Sequence, residues 1–258
     1  MHGACTHNGA PSYMRFFLQK RLSANMVQYP EKAVKPIDEF CPIWSVITPE
    51  ERMYLRENTR IQRYRKGAFL YREGELPRYM FCLISGRVKV FKKGVGDRCQ
   101  IIRFAKPCDN FGYRSSFAQD VHLTNAMATE PAEAYLVPMS VVKQIIQSNN
   151  KLATHFICAL AQNLGADENR LVSLTQKHVR GRLAESLLTL RDSYGTDLDG
   201  RTINSRLSRE DLANYSNMTT SNAIRTLSTF VNEGIISVRG RYITILDEEM
   251  LHKISKMG

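Results

Sequence analysis

The 258-residue chain has no uninterrupted apolar run near the ~20 residues that a membrane-spanning helix needs. Met14-Arg-Phe-Phe-Leu-Gln-Lys-Arg-Leu22 comes nearest to a leader, and its apolar part is too short for the core of a signal peptide. No membrane partner and a cytoplasmic location are therefore expected. The six cysteines, Cys5, Cys41, Cys82, Cys99, Cys108 and Cys158, include no C-x2-C clip and no zinc-finger pattern, so no metal ligand is assigned. A disulfide framework is not expected without a secretory signal. Cys82 and Cys99 lie in apolar, strand-like runs and read as small core residues. A phosphate loop and a nucleophile–base motif are also missing. The chain is not expected to be an enzyme, and neither a catalytic residue nor a cofactor is named.

Acidic residues are outnumbered, 25 Asp and Glu against 36 Lys and Arg, for a net charge of +11. The excess is uneven. Residues 41–140 carry 16 basic and 10 acidic side chains, whereas residues 177–258 carry 12 and 10. Bulk charge alone thus gives the C-terminal part no nucleic-acid signature.

That part carries a different signal. From Leu207 to Gly234 the chain reads as two helices joined by a tight turn. Ser208 followed by Asp211 resembles a capping box. Leu212, Ala213 and Tyr215 are the inward residues of the first helix. Asn217 in the turn tolerates the positive φ that such a turn requires. Thr219 caps the second helix, and Gly234 ends it. Ala223, Ile224, Leu227, Phe230 and Val231 form its apolar stripe. The opposite face, Thr220, Ser221, Asn222 and Arg225, is short and polar, then basic, which suits insertion into a major groove. Ile235–Val238 and Tyr242–Ile245 make a hairpin whose turn holds Arg239 and Arg241, placed to meet phosphates as a wing.

The rest reads as follows. Residues 1–40 form an extension, with one amphipathic turn near Phe16–Leu22. Residues 41–150 open with a helix capped by Thr48. Short strand-like runs follow, Ala68–Arg72, Tyr79–Ile84, Arg87–Phe91, Gln100–Phe104, Thr124–Ala128 and Ala134–Val137, punctuated by glycines; Ser85-Gly86 and Lys93-Gly94-Val95-Gly96 are hairpin tips. This spacing predicts an antiparallel jelly roll. Ser140 caps a helix, and Asn149 or Asn150 caps a long one over residues 151–177. On it Phe156, Leu160, Leu164, Leu171 and Leu174 suggest a coiled-coil seam for a homodimer. Residues 178–258 form the winged helix-turn-helix. The fold class is α+β.

This order of parts resembles the cyclic-AMP receptor/fumarate–nitrate regulator (CRP/FNR) family of transcription factors, from about residue 41 to the end. Lys66-Gly67, Glu73-Gly74-Glu75, Leu83–Val90, Asn110–Ser115 and Leu207–Leu227 carry the resemblance. It implies a cyclic-nucleotide-binding-like sensor with an effector pocket at Gly112, Tyr113, Arg114, Thr124 and Asn125. It also implies a palindromic double-stranded DNA operator, and leaves RNA polymerase open as a further partner. The departures are specific. Tyr113-Arg114 follows Gly112 where cyclic-nucleotide binders carry Glu-Leu, and His122–Ala126 lacks their Arg-Ser or Arg-Thr pair. Cyclic AMP is therefore not the expected effector, which stays an unknown small molecule or a redox or gas signal. His122 as a haem ligand and Cys108 as an oxidant-sensing thiol are alternatives, against a surface or hydrogen-bonded histidine and a buried inert cysteine. In the recognition helix the family's Arg-Glu-x-x-x-Arg becomes Thr220, Ser221 and Arg225. Arg225 is expected to read guanine, with Ser221, Asn222 and Thr220 beside it and Thr219 and Arg209 on phosphates. The competing expectation is a dimeric sensor or scaffold that ignores specific DNA.

Overall fold

The computed structural model describes residues 35–94 and 98–257. The amphipathic turn near Phe16–Leu22, most of the 1–40 extension, and Val95 and Gly96 of one expected hairpin tip lie outside them.

A short helix α1 (Ile37–Phe40) and a 3-10 turn (Pro42–Val46) lead into α2 (Pro49–Asn58). Thr48 Oγ1 accepts from Glu51 N while Glu51 Oε2 accepts from Thr48 N, so the capping box is complete. Eight strands follow: β1 (Arg60–Tyr64), β2 (Phe69–Tyr71), β3 (Tyr79–Ser85), β4 (Val88–Lys93), β5 (Cys99–Ala105), β6 (Asn110–Phe111), β7 (Asn125–Ala128) and β8 (Ala132–Pro138), with a one-turn helix α3 (Arg114–Phe117) after β6. They form two four-stranded antiparallel sheets, ordered β1-β8-β3-β6 and β2-β7-β4-β5. The sandwich expected from the sequence is present. It contains two strands beyond the six expected runs: β1, whose Arg-Ile-Gln-Arg-Tyr buries only Tyr64, and the two-residue β6. Gly86 turns the β3–β4 hairpin at φ 81°, and a Cβ there would sit 2.3 Å from the Pro131 carbonyl, so glycine is required.

Helix α4 (Met139–Ser148) starts one residue before Ser140, which makes no cap. Asn149 does cap α5 (Asn150–Gln176), accepting from Leu152 N at 3.0 Å. Then come α6 (Val179–Tyr194), α7 (Arg209–Tyr215), α8 (Thr220–Asn232), the hairpin β9 (Ile236–Arg239) and β10 (Tyr242–Ile245), and α9 (Glu248–Met257). No helix among the described residues is long and apolar enough to cross a membrane.

Two expectations are corrected here. Cys41 and Cys82 form a disulfide that ties the turn after α1 to β3, and both are fully buried. They are 41 residues apart, and no local motif pairs them. Phe156 does not face a partner helix: it is buried among Tyr113 and Phe117, ring centroids 5.1 and 5.2 Å away. Leu160 also packs partly against that core, and Leu174 turns toward α6 and the sheet. Among the exposed apolar residues of α5, Ile157, Leu164 and Leu171 are 65%, 61% and 63% exposed and seven residues apart, with Val172 beside the last at 51%. The exposed line runs one residue after Phe156, not through it.

Candidate DNA interface and effector pocket

Helix α7 starts where Ser208 Oγ accepts from Asp211 N at 3.0 Å, and its inner side buries Leu212, Ala213 and Tyr215. Asn217 takes φ 50° in the turn, a backbone state that asparagine adopts more readily than most side chains. Thr219 Oγ1 accepts from Asn222 N at 3.2 Å, starting α8. The turn is also held from outside. Arg182 on α6 donates to the carbonyls of Ser216 and Asn217, each at 3.1 Å. Nothing in the local sequence marks Arg182 for this work.

On α8, Ala223, Leu227 and Phe230 are the buried stripe. Ile224 and Val231, expected on that stripe, are 49% and 40% exposed. The 100° step of a helix explains the error: Ile224 follows Ala223 and is turned away from the core that Ala223 fills. Thr219, Thr220, Ser221 and Arg225 are exposed, with Asn222 half-buried beside them. Arg239 and Arg241 are exposed at the wing turn. Arg225, Arg239 and Arg241 make no ion pair among the described residues. Arg209 differs: it donates to the Gly240 carbonyl at 2.7 Å and so braces the wing against α7. Burial of its guanidinium pulls its pKa down.

The expected effector residues are mostly occupied with partners outside their own set. A cavity of about 60 Å3 lies among Tyr71, Arg103, Gly112, Tyr113, Arg114, His122, Thr124 and Asp167. Tyr113 is buried, its ring edge-on to Phe117 and Phe156. Gly112, at φ 86°, presses so close to Phe81 that a Cβ would meet its ring at 2.8 Å. Thr124 faces the Tyr71 hydroxyl at 3.4 Å. Arg114 does not point at an open anion site; it pairs with Asp167 of α5 at 3.5 Å, both well exposed. Asn125 does not line the cavity; its side chain accepts from Glu73 N. His122 is buried, not superficial, and stacks on Tyr71 with centroids 3.8 Å apart. Burial holds its pKa below the usual imidazole value, partly opposed by Glu75. Cys108 is exposed, not buried; its thiol reaches the Phe40 carbonyl at 3.6 Å.

Sequence reasoning missed Arg103. It is half-buried on β5, lines this cavity, and also lines a larger crevice of about 460 Å3 between β5, α5 and α6. It makes no ion pair among the described residues.

The sensor and the helix-turn-helix are joined directly. Lys89 on β4 pairs with Asp211 on α7 at 2.6 Å, with side chains 13% and 17% exposed. Arg170 on α5 donates to the carbonyls of Ile101 at 3.1 Å and Tyr215 at 2.6 Å, and its guanidinium lies over the Tyr215 ring. Phe91 and Ile101 of the sheet share one core with Leu212 and Tyr215.

Comparison with known proteins bears on both halves. Residues 61–149 match the cyclic nucleotide-binding domain model, and residues 181–254 match the Crp-like helix-turn-helix domain model. The two matches occur in the order of the two halves described above. The chain belongs to the CRP/FNR family of transcriptional regulators. It is 24% identical over 191 residues to Electron transport regulator A of Shewanella oneidensis, covering 74% of this chain and 76% of that one. It is 25% identical over 187 residues to the CRP-like cAMP-activated global transcriptional regulator of Mycobacterium tuberculosis, covering 72% and 84%. The structure of FixK2 from Bradyrhizobium japonicum superposes with a TM-score of 0.70 at 26% identity, covering 76% of this chain and 96% of that one. As a CRP/FNR regulator this chain is a DNA-binding transcription factor and not an enzyme, and the scaffold alternative is not favoured.

Proposed function

We propose that the chain acts as a homodimer whose two α8 helices read half-sites of a palindromic operator through Arg225. The supporting observation is the contrast across α8. Its inner stripe is fully packed, while Thr220, Ser221 and Arg225 stand exposed and the Arg225 guanidinium has no ion pair among the described residues. A guanidinium offers the bidentate geometry that guanine O6 and N7 accept. Ser221, Asn222 and Thr220 flank that contact. Thr219, Arg239 and Arg241 meet phosphates, which position the helix without specifying sequence. Arg209 acts one step back, by fixing the wing at Gly240. The seam runs along Ile157, Leu164 and Leu171, with Phe156, Leu160 and Leu174 supporting α5 from its own subunit. RNA polymerase is a further partner in this reading.

The effector reading follows from charge and size. Binding sites for drug-sized ligands usually measure about 300–1,000 Å3, so a cavity of about 60 Å3 suits a small anion rather than a cyclic nucleotide. Arg103, which makes no ion pair among the described residues, supplies one cation and Arg114, released from Asp167, the second. Thr124 and Tyr113 line the same space, and Gly112 admits no side chain between them and Phe81. An anion there competes with Asp167, and so acts on α5. Through Arg170, α5 holds both Ile101 and Tyr215, so the same shift reaches α7.

Gel shifts of genomic fragments, with wild type and Arg225→Ala, test the reading. Wild type should retain at least one fragment far more tightly than random duplex, and the variant should lose that preference. Uniform binding by wild type across fragments, with and without reductant, would overturn it.

A further inference from the structure

The exposed isoleucine on the recognition face has a use. Ile224 is 49% exposed, one residue before Arg225, and lies over Thr220 and Ser221 at the helical i−4 and i−3 positions. A single exposed apolar side chain is ordinary on a protein surface. Here, though, its neighbours are the groups that the preceding section assigns to base edges, and its own helix fixes its direction. Ala223, Leu227 and Phe230 occupy the core side, so Ile224 cannot rotate inward without displacing them. The branched side chain also has little χ1 freedom in a helix, so it projects in one direction.

Among the four bases, only thymine presents an apolar group, its C5-methyl, in the major groove. We propose that Ile224 is a specificity-determining residue that selects thymine by packing on that methyl, close to the guanine read by Arg225. Neighbouring side chains on a helix surface are about 5–6 Å apart, and base pairs are about 3.4 Å apart along the duplex. The thymine therefore falls within about two base pairs of that guanine. The inference rests on α8 being the recognition helix.

The test begins with selection from a randomised duplex library by wild type, Ile224→Ala, Ile224→Val and Arg225→Ala. Affinities are then measured on the enriched duplex and on copies with each thymine replaced by uracil, which removes the methyl and nothing else. Wild type should prefer thymine at one position per half-site and lose about fourfold in affinity per half-site on uracil, the worth of one buried methyl group. Ile224→Ala should lose a similar factor on the thymine duplex and be indifferent to uracil there. Ile224→Val should keep the discrimination. Unchanged melting temperatures, expected at an exposed position, exclude misfolding. If the alanine variant responds to uracil as strongly as wild type, or wild type shows no thymine preference, Ile224 does not read the base. If guanine selection also survives in Arg225→Ala, the recognition-helix reading itself fails, a result separable from the first.

Discussion

The two halves of this molecule treat their polar side chains in opposite ways. In the sensor, nearly every group near the expected pocket is answered from within: Arg114 by Asp167, Asn125 by Glu73, Thr124 by Tyr71, with Arg103 the exception. In the helix-turn-helix half, the answered cations brace the fold: Arg182 holds the turn, Arg209 the wing, and Arg180 and Arg191 pair with Glu233 and Glu248, while Arg225, Arg239 and Arg241 make no ion pair among the described residues. In the proposed reading, a surface that meets a constant partner, duplex DNA, keeps its donors exposed and fixed. A site that must respond to a changing partner can hold its charges in internal pairs, so that a ligand has something to break. The domains meet at Lys89–Asp211 and at Arg170, and also where Arg87 donates to Asn204 and Lys106 to the Ser193 carbonyl, so a broken pair in one half can be felt in the other.

The largest expected effect removes the open half's second copy. Leu164→Glu with Leu171→Glu puts charge on the exposed line of α5. Sedimentation should give single chains, and DNA affinity should fall by about 10^2–10^4, the advantage of linking two half-site contacts. Phe156→Ala should instead lower the folding stability of the sensor. If Phe156→Ala dissociates the dimer and the double glutamate variant does not, the seam is misassigned. Next in size is Arg225→Ala, at about 1–3 kcal/mol per half-site with no loss of thermal stability, since its guanidinium supports nothing in the fold. A drop in melting temperature alongside the lost binding would mean that the arginine is structural and that the contrast between the halves is drawn wrongly.

These substitutions also mark what was legible in the chain. The helix-turn-helix could be read because its determinants are local: Ser208 and Thr219 cap the amides three residues on, and Asn217 takes φ 50°. Errors arose where apolar residues are adjacent. Phe156 and Ile157, or Ala223 and Ile224, give a period of 3.6 two nearly equal phases, and packing against the sheet or against α7 decides between them. Strand β1 escaped because its outward residues outnumber its inward ones. Arg170 and Lys89 could not be found, since each gains its role from partners far along the chain, and Arg103 could not because its cavity is lined from distant segments.

The Cys41–Cys82 bridge sharpens the comparison within the closed half. It joins residues 41 apart, and closing such a loop in the unfolded chain contributes about 2–4 kcal/mol. Chemical denaturation with and without reductant should show that loss in wild type. Cys82→Ser should show the lower stability under both conditions. DNA affinity at low denaturant should stay within about twofold, because the bridge lies in the sensor's leading segment and touches neither α7 nor α8. Equal stability with and without reductant would mean that the two thiols pack in the core without needing their bond.

The smallest effect concerns His122. Burial against Tyr71 disfavours its protonated form, so its pKa in the folded chain lies below that in the unfolded chain. The sign follows. Above the unfolded value both states carry neutral imidazole and pH has no hold on stability through this group. As pH falls through the unfolded value, the unfolded chain takes up the proton first, and stability declines until the folded pKa is also passed. The Glu75 carboxylate moderates the decline by favouring the cation. Denaturant midpoints should thus drop slightly as pH falls from about 7.5 to about 5.5. His122→Phe, which keeps a ring against Tyr71, should flatten that part of the profile. If it does not, the histidine is already neutral-indifferent in its pocket. The packing that closes the sensor's polar groups against each other would then carry no proton cost, and the contrast with the open DNA-binding face would rest on ion pairs alone.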